Sequence, residues 1–298
     1  NVVISAGTGM GKTEAFLIPI IEELSKHSFK PNSQVILIYP TKALARDQVE
    51  KLIELVYYVN KELERRYGKS GRKIVTIGLD YGDIRKNPPK MDEPFLGIKC
   101  PIDGEELVLK TNGEVYCKKC KESLKFLYAY KSRVWKEKPH IYITNVWTLY
   151  RRLMEYETLI LFRNVKYVVL DEAHVYAGYL GGHVHYILKL LKHFLEEKND
   201  VIFILSSATI PKPSEFLRNL MNENVEILSH NEIIKKYYGK NATIPQKLTI
   251  RVYMLPSINS SIETLTEESI LPITLWSHKP VSYTHLRAHE TEADLVCS

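Results

Sequence analysis

Cysteine is scarce in this chain, with four residues in 298, too few to staple a small secreted scaffold. No apolar run approaches the roughly 18 residues of a membrane span. The longest, such as Val201-Ile202-Phe203-Ile204-Leu205, are strand-sized. No basic stretch followed by an apolar one marks a secretory leader, so a cytoplasmic protein with no membrane partner is expected. Internal repeats and low-complexity tracts are lacking too, which excludes repeat arrays and disordered linkers. A starting Met is also missing. The chain opens at Asn1 directly on a strand-like Val2-Val3-Ile4, so it reads as a piece that begins inside a domain.

The composition present is that of a folded domain. Hydrophobic residues make up 45% and charged residues 26%, enough to bury a core. A net charge of +6 permits a polyanionic partner without demanding one. The length accommodates one large domain or two small ones.

Short apolar runs alternate with helical patterns. Strands are predicted at Val2–Ile4, Val35–Tyr39, Ile74–Ile77, Ile141–Ile143, Val168–Leu170 and Ile202–Leu205, and helices at about 13–25, 43–66, 146–155 and 182–197. Strands apolar on both faces and separated by helices imply an α/β fold with a parallel sheet covered on both sides. The rhythm breaks at residues 95–138, read as an insertion. After Pro211 it thins to a helix near Ser214–Met221 and strands at Val225–Leu228 and Leu248–Leu255.

Two motifs carry chemistry. Ala6-Gly7-Thr8-Gly9-Met10-Gly11-Lys12-Thr13 lies between a strand and a helix, the setting of a phosphate-binding loop. Its glycines let backbone N–H groups turn toward phosphate oxygens, and the helix N-terminus adds partial positive charge. Lys12 is expected to neutralise β/γ-phosphate charge and Thr13 to ligate Mg²⁺. Asp171-Glu172-Ala173-His174 follows a buried strand, at the carboxyl end where parallel sheets bind ligands. Asp171 is expected to hold Mg²⁺, Glu172 to activate the attacking water, and His174 to sense that chemistry. ATP and Mg²⁺ are the implied cofactors.

These motifs, with Pro40-Thr41-Lys42-Ala43-Leu44-Ala45-Arg46-Asp47-Gln48, Ile143-Thr144-Asn145 and Ser207-Ala208-Thr209 in order, make the chain resemble the first RecA-like domain of superfamily 2 DEAD/DEAH-box helicases over about residues 1–230. The resemblance implies an ATP-dependent helicase or translocase acting on nucleic acid, DNA rather than RNA. It assigns Pro40, Thr41, Arg46, Thr144 and Asn145 to gripping one strand, and Ser207 and Thr209 to linking nucleotide and strand sites. Tyr81-Gly82-Asp83 and the segment Val175–Val184 resemble elements of the RecQ4-like prokaryotic and fungal DNA helicases, several of them linked to DNA repair. Family members complete the ATP site with a second RecA-like domain. Residues 231–279 read as the start of a linker toward one, and the piece by itself is expected to hydrolyse ATP poorly. The rival readings are a zinc-stabilised nucleic-acid-binding module without catalysis and a translocase subunit that does not separate strands.

Within the insertion, Cys100-Pro101-Ile102-Asp103-Gly104 and Cys117-Lys118-Lys119-Cys120 flank a hairpin pattern turning at Thr111-Asn112-Gly113, the outline of a zinc ribbon. Cys100, Asp103, Cys117 and Cys120 are the candidate ligands, Asp103 standing where a fourth cysteine would be. A hairpin without metal, or with another fourth ligand, is the alternative. Downstream lysines interleaved with Phe126, Tyr128, Tyr130 and Trp135 suit either single-stranded nucleic acid or a solvated face over core aromatics. His285 and His289 are not read as a metal site, because residues 280–298 resemble a translated sequencing-adapter artefact.

Overall fold

Alternation along one strand sets the layers. In β2 (Val35–Tyr39) all five residues are buried. Val35, Leu37 and Tyr39 enter one core, and Ile36 and Ile38 the other, as a strand covered on both faces requires. This is a computed structural model, and it describes residues 2–5, 11–26, 32–68, 74–176, 178–196, 201–207, 213–221 and 226–229. The candidate residues Ala6, Gly7, Thr8, Gly9, Met10 and Thr209, the strand expected at Leu248–Leu255, and the segments 231–279 and 280–298 lie outside the described residues.

The remaining main-sheet strands are β1 (Val2–Ser5), β3 (Ile77–Asp80), β7 (Leu127–Tyr128), β8 (Ile141–Asn145), β9 (Tyr167–Leu170), β10 (Ile202–Ser207) and β11 (Glu226–Ser229). They form an eight-stranded sheet in the order β11-β1-β10-β9-β2-β8-β3-β7, every neighbouring pair parallel. Helices α1 (Lys12–Lys26) and α2 (Lys42–Tyr67) pack on the face that holds Val35 and Leu37. Helices α4 (Val146–Leu153), α6 (Gly178–Glu196) and α7 (Pro213–Met221) bury residues on the opposite face, over Ile36 and Ile38. The chain is therefore α/β with helices on both sides.

Two predicted boundaries move, each for a local reason. The strand expected from Ile74 starts at Ile77. The Asn60 side chain pairs with both backbone groups of Val75, at 2.9 and 2.7 Å, and His140 Nδ1 accepts from Thr76 N at 3.1 Å, so Val75 and the Thr76 N–H are bonded outside the ladder, which opens with Ile141 N donating to Thr76 O at 3.0 Å. The helix expected over 146–155 ends at Leu153 as α4, and a further short helix, α5 (Glu157–Leu161), follows it. The Thr158 side chain bonds to the Arg152 carbonyl across the break.

Residues 93–117 form a separate antiparallel sheet, β4 (Glu93–Lys99), β5 (Glu106–Leu109) and β6 (Val115–Cys117). Its inner residues Phe95, Ile98, Leu107, Leu109 and Val115 share one core with α2. Within the same 95–138 segment, β7 rejoins the main sheet beside β3 before the short helix α3 (Lys131–Glu137). Here Phe126 is buried and Tyr128 and Trp135 are half-buried. The Arg133 guanidinium lies over Tyr128 and that of Arg152 over Trp135, so these aromatics pack internally.

Candidate nucleotide-binding and strand-binding edge

Apart from the cysteine cluster and Arg46, the fifth residue of α2, every predicted chemical residue that the structure describes falls at the carboxyl ends of the parallel strands, in the turn that follows, or at the start of the next helix. Gly11 takes a left-handed φ of +74°, which glycine adopts without strain, and its carbonyl accepts from Ala15 N at 2.9 Å. Lys12, the first residue of α1, is buried, and Thr13 half-buried. Strand β10 lies between β1 and β9, pairing Ser5 with Ser207 on one side and Leu205 with Leu170 on the other. Lys12, Ser207 and Asp171 thus arise from three adjacent strand ends, neighbours being about 4.8 Å apart.

Asp171 is 2% exposed and its N–H donates to the Ile38 carbonyl at 3.1 Å. Its Oδ1 accepts from Glu172 N at 2.9 Å, while Oδ2, Ser206 Oγ and Ser207 Oγ are buried with no aligned hydrogen-bond partner among the described residues. Burial pushes the Asp171 carboxyl above its ordinary range and the Glu172 charge adds to this; the nearby Ser206 hydroxyl and Lys12 oppose it. Glu172 moves the other way, held down first by the His174 imidazole, whose Nδ1 lies 3.2 Å from Oε2, and also by Lys12. Adjacent carboxyls driven apart in this way suit different roles. Glu172 has a left-handed φ of +49°, a strained state for a residue with a Cβ, stabilised here by its bond to Asp171.

On the other side of β9, Tyr39 pairs with Asn145 and Ile38 with Thr144. Thr41 caps α2 by accepting from Leu44 N at 3.3 Å, and Asn145 caps α4 by accepting from Thr148 N at 2.8 Å. The side chains of Thr144 and Asn145 are buried. Pro40 is half-buried and Arg46 exposed. Two capped helix N-termini therefore open at this edge, each presenting backbone N–H groups and partial positive charge.

The cysteine cluster lies in the three-stranded sheet. One ligand atom each from Cys100, Asp103, Cys117 and Cys120 lies within 4.8 Å of the other three. The two turns that carry them are built alike. Cys100 N donates to Glu105 O and Gly104 N to Cys100 O; Cys117 N donates to Glu122 O and Lys121 N to Cys117 O. Gly104 and Lys121 are both left-handed, at φ +71° and +62°. Asp103 is thus the positional counterpart of Cys120. Cys100 Sγ and Cys120 Sγ are 3.7 Å apart, and Cys117 Sγ is 3.3 and 3.4 Å from the Asp103 oxygens. Tetrahedral Zn²⁺ bonds of about 2.3 Å to sulfur and about 2.0 Å to oxygen give ligand edges of about 3.8 and 3.5 Å, so the donor set fits.

The profile of the DEAD/DEAH box helicases matches residues 1–81 and 111–216. The chain belongs to this family. An uncharacterized ATP-dependent helicase of Methanocaldococcus jannaschii, MJ1574, is 26% identical over 89% of this chain and 32% of its own length. The ATP-dependent helicase hrq1 of Schizosaccharomyces pombe is 23% identical over 77% of the chain and 17% of its own. This helicase-family chain thus spans about a third or less of these relatives. Among solved structures, Mycobacterium smegmatis helicase Lhr bound to ssDNA and AMP-PNP overlays 77% of the chain and 23% of its own with a TM-score of 0.54 at 23% identity, a likeness of fold. The family profile skips residues 82–110, which hold β4, β5 and the first cysteine turn. No helix among the described residues is long and apolar enough to cross a membrane.

A third group escaped the sequence reading. Asp80, at the end of β3, is fully buried. It accepts from Tyr142 Oη at 2.9 Å, Trp135 Nε1 at 3.3 Å, and Arg152 Nε and Nη2 at 2.8 and 3.2 Å, with Lys131 Nζ 3.9 Å away. These donors come from β8, α3 and α4, and Asp80 pairs in register with Thr144. The two family-like glycine segments also have steric reasons. A Cβ on Gly82 would meet Lys42 Cε at 2.6 Å, and one on Gly181 the Tyr176 carbonyl oxygen at 2.6 Å.

Proposed function

We propose that this chain is the ATP-binding motor domain, about residues 1–230, of a helicase or translocase that acts on nucleic acid, DNA in preference to RNA. One observation carries the reading: a buried carboxylate oxygen, Asp171 Oδ2, with no aligned hydrogen bond among the described residues, beside a second carboxylate, both within reach of the Lys12 charge. Such a group is costly unless a ligand completes it. Bound Mg-ATP supplies the phosphoanhydride bond to be broken and the divalent charge. Thr13 and Asp171 offer the oxygen donors a hard cation takes. Lys12 neutralises β/γ-phosphate charge, and Ala6, Gly7, Thr8, Gly9, Met10 and Gly11 wrap the phosphates. Glu172 orients and deprotonates the attacking water, with His174 holding Glu172 in its ionised form. Ser207 and Thr209 relay between nucleotide and strand, and Pro40, Thr41, Arg46, Thr144 and Asn145 grip the strand backbone.

The segments Tyr81–Asp83 and Val175–Val184 support placing the chain with the RecQ4-like DNA helicases. Cys100, Asp103, Cys117 and Cys120 are proposed to hold a structural Zn²⁺. An arginine supplied from a second domain is worth about 10³–10⁵ in rate in phosphoryl transfer, so the chain alone is expected to bind ATP and turn it over slowly. A titration with fluorescent ATP analogue and Mg²⁺ tests the reading. Lys12→Ala should weaken binding about tenfold or more, the value of one charged hydrogen bond. Unchanged affinity in that variant would refute it.

A further inference from the structure

We infer that metal bound by the cysteine cluster governs nucleic-acid affinity, because the three-stranded ribbon fixes the position of Arg46; the inference rests on the zinc reading above. The ribbon lies along α2 and touches it at three places. At the ligand end, Pro101 of the first turn accepts a hydrogen bond from Tyr58 Oη at 3.1 Å. Glu122, beside the second turn, pairs with Lys61 Nζ at 2.8 Å. Tyr58 and Lys61 are three residues apart, one turn of α2, so each ligand-bearing turn contributes one contact to the same stretch of helix.

The third contact is nearer the start of α2 and three residues before the first ligand. Gly97 in β4 has φ +64°, and a Cβ there would lie 2.3 Å from the Arg46 Nη2 atom. The guanidinium therefore rests directly on the Gly97 backbone. Arg46 lies on the first turn of α2 beyond the Thr41 cap, at the strand-binding edge. A glycine in the left-handed region leaves room for that resting place, and a Cβ there would displace the flexible end of Arg46.

The first ligand, Cys100, follows Gly97 by three residues. The hairpin is three short strands, too small to be stable by itself, so its shape depends on the core it shares with α2 and on cross-linking of its two turns. A tetrahedral ion joins Cys100 and Asp103 to Cys117 and Cys120 and locks one turn to the other. With the turns unlinked, β4 is held through Phe95 and Ile98 in the core it shares with α2, and the backbone at Gly97 can shift under the guanidinium. The loop around Lys12 and the carboxylates of Asp171 and Glu172 lie outside the ribbon, on other strand ends, and do not depend on it. Arg46 is the nucleic-acid contact; the ribbon and its metal are positioning elements.

The test uses the full chain, purified without added chelator. Zinc content is measured by elemental mass spectrometry, affinity for fluorescein-labelled oligo-dT by anisotropy, and affinity for the ATP analogue in parallel. One zinc per chain is expected. Stripping it with a thiol-compatible chelator should weaken oligo-dT binding about tenfold, as loss of one charge-assisted contact implies, with ATP-analogue affinity unchanged, and added zinc should restore it. Gly97→Ala should weaken oligo-dT binding with zinc content intact. In Arg46→Ala, stripping the metal should have no further effect. Asp103→Asn should bind zinc more weakly than the parent chain, and Asp103→Cys should retain it. A chain that binds no zinc, or an Asp103→Asn variant with full zinc affinity, overturns the ligand assignment. Zinc present but oligo-dT affinity indifferent to its removal overturns the coupling alone and leaves the zinc reading standing. Parallel loss of oligo-dT and ATP-analogue binding signals general unfolding and also overturns the coupling.

Discussion

Replacing Asp80 with alanine should destabilise the domain by about 3–5 kcal/mol, the cost of removing one partner from a buried ion pair. The carboxylate is fully buried and its removal leaves three donors behind. The Tyr142 hydroxyl and the Trp135 indole lose their acceptor. Arg152 loses two bonds to Asp80 but keeps Glu155, at 3.0 and 2.7 Å from Nη1, which places the expected cost toward the lower end. In a domain of this size that is a fall in Tm of about 6–12 °C. Asp80→Asn keeps one acceptor oxygen and should cost less than alanine. The pair variant Asp80→Leu with Arg152→Met should recover much of the loss, because it removes both charges and fills their volume. Urea unfolding followed by circular dichroism, with the slope m unchanged, reads all three. A shift for Asp80→Ala below about 1 kcal/mol, the size of an ordinary exposed pair, would show that the buried cluster does not hold β3, β8, α3 and α4 together. A pair variant no more stable than the single one would show that the orphaned charge is not the source of the cost.

Glu172→Gln should leave ATP-analogue binding intact and cut hydrolysis by about 10²–10⁴, the usual contribution of a general base; equal loss of binding and turnover would assign it a binding role. His140 sets a pH dependence. Burial lowers its pKa from 6.5 to about 4, so below pH 6.5 the unfolded chain takes up a proton that the folded chain refuses. Stability should therefore fall as pH drops through that window, by about 3 kcal/mol in all, and His140→Asn should flatten the urea midpoint measured from about pH 7 to pH 4. A midpoint in the parent chain that does not fall over this range would contradict the burial of a neutral imidazole.

Much of this was legible because it depends on local pattern. The two-sided apolar runs of Val35–Tyr39 and Val168–Leu170 can be covered only from both faces, and that requirement alone leads to a parallel sheet under two helix layers. The hairpin around Thr111-Asn112-Gly113 shows itself through its turn residues. What stayed hidden depends on distant partners. Ile74–Thr76 carry the apolar signature of a strand, yet a side chain from α2 and another from the residue before β8 take up their backbone groups. The edge strand Leu127–Tyr128 is two residues long, below any period that a sequence can display. Asp80 meets donors 51 to 72 positions downstream, and nothing in its own neighbourhood announces them. Thr144 and Asn145 read as strand contacts from their motif; that their side chains bond within the turn and cap α4 depends on the fold around them.

The sheet order has a consequence for how the chain is made. β1 pairs with β10 on one side and β11 on the other, Val2 opposite Ile204 and Glu226. Strand β1 has a place in the sheet only when those strands exist. At about 5–20 residues per second, the ribosome takes about 10–40 s to deliver them. Through that interval a short apolar strand waits without a hydrogen-bonding partner while α1, α2, β2 and β8 can already assemble beside it. Contacts of such long sequence separation form slowly, so the nucleotide half of the edge is the last to be built and the most exposed to mispairing while the chain grows. The β2–β8 side of this edge can pair early, and the side built on β1 must wait for residue 207.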